Sequence, residues 1–251
     1  MYKLAKKILL SAIGFLRSRY YLLSIDVKHQ ALIKDIRSKN LTYLSIRKLT
    51  NIAKICNNIK KDKLSGIFIE AGCALGGSTI LISKLKNPIT PFYAYDIFET
   101  IPPPTIEDTK DVHERYKTII EGESFGIGGD KYYGYEENLY DIVKYNLKEF
   151  QIDTEENNVN LVQGLIQDTL EINAPVAFAH IDVDWYLPVK ICLERIFPML
   201  VIGGSLIIDD YYDWGGCQKA TDEYLKKVEG HYNLNKTSGV LTITKINNFL
   251  F

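Results

Sequence analysis

Two short acidic runs carry most of the chemistry available to this sequence. His180-Ile181-Asp182-Val183-Asp184 ends one apolar run, and Asp209-Asp210-Tyr211 ends another. In an extended backbone alternate side chains share a face, so His180, Asp182 and Asp184 point the same way. Asp209 and Asp210 add carboxylates from a second segment. Carboxylates gathered that closely repel one another and raise one another's pKa unless a cation sits among them. Oxygen-only ligation suits Mg2+, Mn2+ or Ca2+. Cys56, Cys73, Cys192 and Cys217 are scattered and form no C-x-x-C pair. Neither a zinc site nor a disulfide framework is indicated, and a reducing, cytoplasmic setting is expected.

A second group of residues has the character of a cofactor site. Glu70-Ala71-Gly72-Cys73-Ala74-Leu75-Gly76-Gly77-Ser78 follows a short apolar run. Glycines there let backbone approach a ligand, and Ser78 is placed to cap the helix that follows, whose free N–H groups suit a carboxylate or phosphate. The spacing is neither G-x-G-x-x-G nor a phosphate loop. Asp96 lies where an acidic side chain commonly holds ribose hydroxyls, so an adenosine-containing cofactor is expected.

These residues require a scaffold that delivers them to one edge. Apolar runs at 67–69, 92–95, 159–162, 176–181 and 206–208 read as strands, each of the first, second, fourth and fifth ending in an acidic residue. Helical spacing occupies 79–85, 136–150, 189–196 and 218–228. That alternation predicts an α/β fold with a mostly parallel, Rossmann-like sheet and helices on both faces. Runs at 232–236 and 240–246 are joined by Thr237-Ser238-Gly239, too short for a crossover, so they predict an antiparallel hairpin. Residues 1–60, with helical spacing from Leu41 to Lys60, are expected to form a helical cap on a domain spanning 61–251. Residues 100–136, rich in proline, glycine and acid, are expected to be a lid, helical in part over 112–120.

The ordered set of motifs resembles the macrocin O-methyltransferase family, a branch of the class I S-adenosylmethionine-dependent methyltransferases. Its carriers are Phe68 to Gly72 with Gly76-Gly77-Ser78, Tyr95-Asp96-Ile97-Phe98-Glu99 leading to Ile101-Pro102, Val162-Gln163-Gly164 with Asp168-Thr169-Leu170, the Asp182/Asp184 motif, and Gly203-Gly204 with Asp209-Asp210-Tyr211. The resemblance implies S-adenosylmethionine as methyl donor, held by Glu70, Gly72, Ser78 and Asp96, with Gln163 and Asp168 near its adenine and Asp182 also at the cofactor. It implies a divalent ion, Mg2+ or Mn2+, on Asp182, Asp209 and Asp210, binding adjacent hydroxyls of a sugar acceptor. Asp184 is implied as the general base. An alcohol is a poor nucleophile until a Lewis acid lowers its pKa and a base accepts its proton, so the chemistry agrees with that assignment. A homo-oligomer built through the amino-terminal helices is a further expectation from related enzymes.

Lys plus Arg number 30 against 31 for Asp plus Glu, which leaves no positive excess for a nucleic-acid backbone, and no such partner is expected. Lys3, Lys6 and Lys7 with the apolar stretch 8–16 imitate a signal peptide, but Arg17 and Arg19 end the run well short of the roughly 20 residues a bilayer span needs. An amphipathic helix is the expected outcome there. Asp182-Val183-Asp184 also fits the D-x-D of a metal-dependent glycosyltransferase, which leaves the glycine loop and Asp209-Asp210 unexplained. Tyr140 and Lys144 match a short-chain dehydrogenase spacing, but they precede the third strand. A non-catalytic module, using the basic amino terminus and Phe249-Leu250-Phe251 as contact surfaces, leaves the acidic set without a purpose.

Overall fold

In the computed structural model, which describes residues 18–248, the apolar runs become the central strands of one seven-stranded sheet. These are β1 (Ile67–Ala71), β2 (Phe92–Asp96), β3 (Val159–Gln163), β4 (Val176–Ile181) and β5 (Leu200–Ile208), followed by β6 (Tyr232–Asn235) and β7 (Leu241–Lys245). The spatial order is β3-β2-β1-β4-β5-β7-β6. The first five strands pair in parallel, and β7 runs antiparallel between β5 and β6, as the short connection at Thr237–Gly239 requires. The order reverses between β1 and β4, which opens a crevice at their carboxyl ends.

Period-two alternation along the strands sorts the core into two layers. Phe68, Ala94, Phe178 and Ile207 join helices α1 (Val27–Ser38), α2 (Ile46–Lys61), α3 (Gly77–Leu85) and α5 (Leu139–Glu149) in one apolar cluster. Ile69, Tyr95, Ala179, Leu206 and Ile208 face the opposite side, against α7 (Tyr186–Met199) and α8 (Gly215–Lys227). Further helices include α4 (Lys110–Ile120) and the single turn α6 (Ile166–Thr169). Complete burial of Phe92, Phe178 and Phe197 reflects the general rule that the largest apolar side chains dominate core energetics.

Three local expectations are corrected. Helix α2 begins at Ile46, not near Leu41, because the Ser45 hydroxyl accepts the Lys48 N–H at 3.2 Å and so starts the helix there. Residues 41–45 carry no regular secondary structure, and the Arg37 guanidinium donates to the Leu44 carbonyl. Strand β5 starts at Leu200, earlier than the run at 206–208, with an irregular register where Gly203 adopts φ +83°. Ser78 does not cap α3: Gly76 holds the cap position at φ +85°, and Ser78 lies buried in the first turn. The basic stretch before residue 18 and the Phe249-Leu250-Phe251 tail lie outside the described residues. Among the described residues, no helix is long and apolar enough to cross a membrane.

Residues 100–136 form the cover of the crevice. They hold α4 and two short 3-10 turns at Ile127–Gly129 and Tyr133–Tyr135. Lid carboxylates cap the two helices on the far side of the crevice. Asp108 accepts the Tyr186 N–H of α7 at 2.7 Å, and Asp111 accepts the Gly215 N–H of α8 at 3.0 Å. Both satisfy orphan N–H donors and oppose the positive end of the helix dipole. The Trp185 indole donates to the Pro102 carbonyl at 3.0 Å, and the Lys219 ammonium pairs with Glu107 at 2.6 Å.

Candidate active site

The crevice deepens into a cavity of about 610 Å3, lined by the carboxyl ends of β1, β2, β4 and β5, the lid and the start of α2. Its floor is set by Gly72, at φ +84°, where a Cβ would drive into the carbonyl oxygen of Asp182. Only glycine lets β1 and β4 approach so closely at the switch point. Asp184 itself adopts φ +56°, an uncommon backbone for a non-glycine residue and one that clusters at functional sites.

Asp182, Asp184 and Asp210 converge, each offering a carboxylate oxygen within 4.8 Å of the others. The mutual repulsion shows in their acidities. Enclosure, then the Asp209 charge, pushes Asp182 up to about 7. Burial followed by Asp182 and Asp184 lifts Asp210 well above the usual carboxylate range, and burial raises Asp184 as well. Asp210 Oδ2 is buried with no hydrogen-bond partner. An orphaned carboxylate oxygen beside two further carboxylates is a donor set that fits a hard divalent cation.

Asp209, only 2% exposed, is held differently. Its Oδ2 pairs with the Lys48 ammonium at 2.7 Å, and its Oδ1 lies 3.6 Å from His180 Nε2. His180 Nδ1 in turn meets Glu70 Oε1 at 3.1 Å, and the Thr79 hydroxyl donates to Glu70 Oε2 at 2.5 Å. Burial opposes charge on His180, but the carboxylates of Asp209 and Glu70 on either side of the ring outweigh it and raise the imidazole to about 10. Glu70 is therefore a fully buried anchor for His180, behind the cavity wall.

Asp96 ties the glycine loop to β2. One carboxylate oxygen accepts the N–H groups of Cys73 at 2.7 Å and Ala74 at 3.1 Å, and the other accepts Phe98 N–H at 2.8 Å. A carboxylate has roughly four acceptor positions, so Asp96, which lines the cavity, retains one for a hydroxyl. Gln163 and Asp168 are exposed and flank the cavity, whereas the intervening Gly164, Leu165, Ile166 and Gln167 line it.

Sequence reasoning missed Lys48, Tyr43, Arg115, Tyr132, Tyr133, Trp185 and Trp214, all of which line the cavity. Trp185 meets Trp214 edge-on at 6.0 Å between centroids, and the Arg115 guanidinium sits 5.5 Å from the Tyr132 ring. The aromatic content of the lid was a signal open to reading; Lys48 was not, because its reach depends on where α2 starts. His113 is an exposed lid residue. Tyr140 packs on Phe98 with centroids 5.0 Å apart and neither it nor Lys144 lines the cavity, which removes the dehydrogenase spacing from consideration.

The chain is similar to known proteins in sequence and fold. The family described as Macrocin-O-methyltransferase (TylF) matches residues 5–240. Demethyldecarbamoylnovobiocin O-methyltransferase of Streptomyces niveus is 24% identical over 197 residues, covering 75% of this chain and 69% of that protein. A tetracenomycin-C rhamnosyl 4'-O-methyltransferase of Streptomyces olivaceus is 25% identical over 217 residues, covering 84% of this chain and 76% of that protein. The solved O-methyltransferase NovP superposes with a TM-score of 0.68 at 22% identity, covering 82% of this chain and 83% of NovP. Calicheamicin methyltransferase CalS11 superposes at 0.60 with 17% identity, covering 93% of this chain and 91% of its own. With its sheet order, its glycine loop and a family match over nearly its whole length, the chain belongs to the macrocin O-methyltransferase family.

Proposed function

We propose that this chain transfers a methyl group from S-adenosylmethionine to a hydroxyl of a sugar or glycosylated metabolite, with a divalent cation, Mg2+ or Mn2+, at the acidic cluster. The observation that carries the reading is the convergence of Asp182, Asp184 and Asp210 at the switch-point crevice, beside the glycine loop. A sugar acceptor is supported by the name of the Streptomyces olivaceus relative, whose substrate carries a rhamnosyl group.

In this reading Asp182 and Asp210 hold the cation, with Asp209 as the third ligand. A hard dication bound there supplies Lewis acidity, which lowers the pKa of an attached hydroxyl. Asp184 accepts the hydroxyl proton at its carboxylate. Asp96 uses its remaining acceptor position on the ribose, Gly72 admits the donor close to the backbone, and residues 164–167 border the adenine. Gln163 and Asp168 flank those residues, and Ser78 lies buried in the first turn of α3 beside the glycine loop. The aromatic lining from Tyr43, Tyr132, Trp185 and Trp214 offers faces on which a sugar ring stacks, and the lid excludes water around the reacting atoms. Because methyl transfer needs in-line attack and little else, much of the rate comes from positioning.

The test is calorimetric titration with S-adenosylhomocysteine, followed by a screen of glycosides bearing vicinal diols for the mass gain of one methyl group. Tight binding of a nucleotide-diphosphate sugar with no response to S-adenosylhomocysteine would instead favour a glycosyltransferase. A homo-oligomer is part of the same proposal, and sedimentation at micromolar concentration checks it.

A further inference from the structure

Lys48 is a cation that α2 carries into the acidic crevice. The Ser45 cap fixes the start of α2 and so the direction in which Lys48 leaves it. Its ammonium donates to Asp209 Oδ2 at 2.7 Å, to Asp213 Oδ2 at 2.9 Å and to the Asp209 carbonyl at 3.2 Å. An ammonium has three donors, and all are engaged. Asp209 Oδ1 faces His180 on its other side. The carboxylate of Asp209 is thus clamped by two protein groups and stands outside the Asp182, Asp184 and Asp210 group. Asp209 Oδ1 and, next in the chain, Asp210 Oδ2 are both buried without a hydrogen-bond partner.

We propose that Lys48 is a positioning residue that competes with the divalent cation for Asp209, holding that carboxylate in the metal-free protein and yielding it when the cation binds. The inference rests on the metal reading above and deepens it. A carboxylate as buried as Asp209 needs a compensating charge when no cation is present, and Lys48 supplies it. An ammonium and a dication cannot share one carboxylate oxygen without mutual repulsion, so occupancy by one weakens the hold of the other. By linkage the effect is reciprocal: the cation loosens the seat of α2, and removal of the Lys48 charge favours the cation.

The experiment is titration of the full chain with Mn2+, following the electron paramagnetic resonance signal of the free ion, for the wild type, Lys48→Met, Lys48→Arg and Asp182→Asn. Lys48→Met is expected to bind Mn2+ about tenfold more tightly, the scale of one charged hydrogen bond removed from competition. Lys48→Arg keeps the charge and is expected to stay close to the wild type, and Asp182→Asn to bind more weakly. Unchanged or weaker binding by Lys48→Met, with Asp182→Asn still impaired, overturns the competition and leaves the metal site standing. Absence of saturable Mn2+ binding by the wild type overturns both. If Lys48→Met does not fold, hydrogen exchange of the wild type decides: Mn2+ should speed exchange in the first turns of α2, and unchanged or slower exchange there overturns the proposal.

Discussion

At the residue scale, the site divides four aspartates into different roles by what surrounds each. Asp184 stands in a left-handed backbone conformation at the cluster, whereas Asp209 is clamped by Lys48 and His180. Asp184→Asn is expected to retain cation binding and lose about 10²–10⁴ in turnover, the usual worth of a general base, in a methyl-transfer assay at saturating donor. Full-speed turnover by that variant would show the base to be elsewhere. The crowding also sets a pH dependence in chelator-treated protein. The Asp182 carboxyl is raised from 3.8 to about 7, so between those values the folded state binds the proton that the unfolded state has released. Stability from this group is complete below 3.8 and is lost as pH rises towards about 7. The stability of Asp182→Asn relative to the wild type should therefore increase across that window, read by urea unfolding at several pH values. A constant difference would contradict the assignment.

At the element scale, each strand end was legible because apolar runs stop at Glu70, Asp96, Asp182 and Asp209, and a parallel sheet places such residues on one edge. The lid was legible as a segment, but its partners and Lys48 were not, since they depend on contacts between residues far apart in sequence. Asp108 reaches Tyr186 and Lys48 reaches Asp209, and no local periodicity records either approach. The start of α2 shows the same limit: Leu44 continues an apolar spacing, but the Ser45 hydroxyl decides where the helix begins. Ser45→Ala is expected to cost about 1 kcal/mol in unfolding free energy, measured by denaturant titration. Asp108→Ala removes the cap of α7 and the Thr105 contact that shapes the lid. It should raise the KM for acceptor more than it lowers kcat, and a variant with wild-type kinetics would show that the clasp does not shape the acceptor pocket.

At the scale of the whole molecule, the fold brings a glycine loop from the first strand and acidic tips from the fourth and fifth to one crevice, where the strand order reverses. Gly72 joins these halves, because its lack of a side chain lets the loop lie against Asp182. The alternation of apolar and helical runs anticipated this sheet and its hairpin; it did not anticipate that the amino-terminal helices pack into the core of one sheet face and place a cation in the site. The central claim is that a hard dication binds at the converging aspartates beside the methyl donor. Its most direct test is the anomalous difference map of crystals grown with Mn2+ and S-adenosylhomocysteine. A single strong peak in contact with the carboxylates of Asp182 and Asp210 is expected. A map with S-adenosylhomocysteine well defined and no peak at those carboxylates would contradict it.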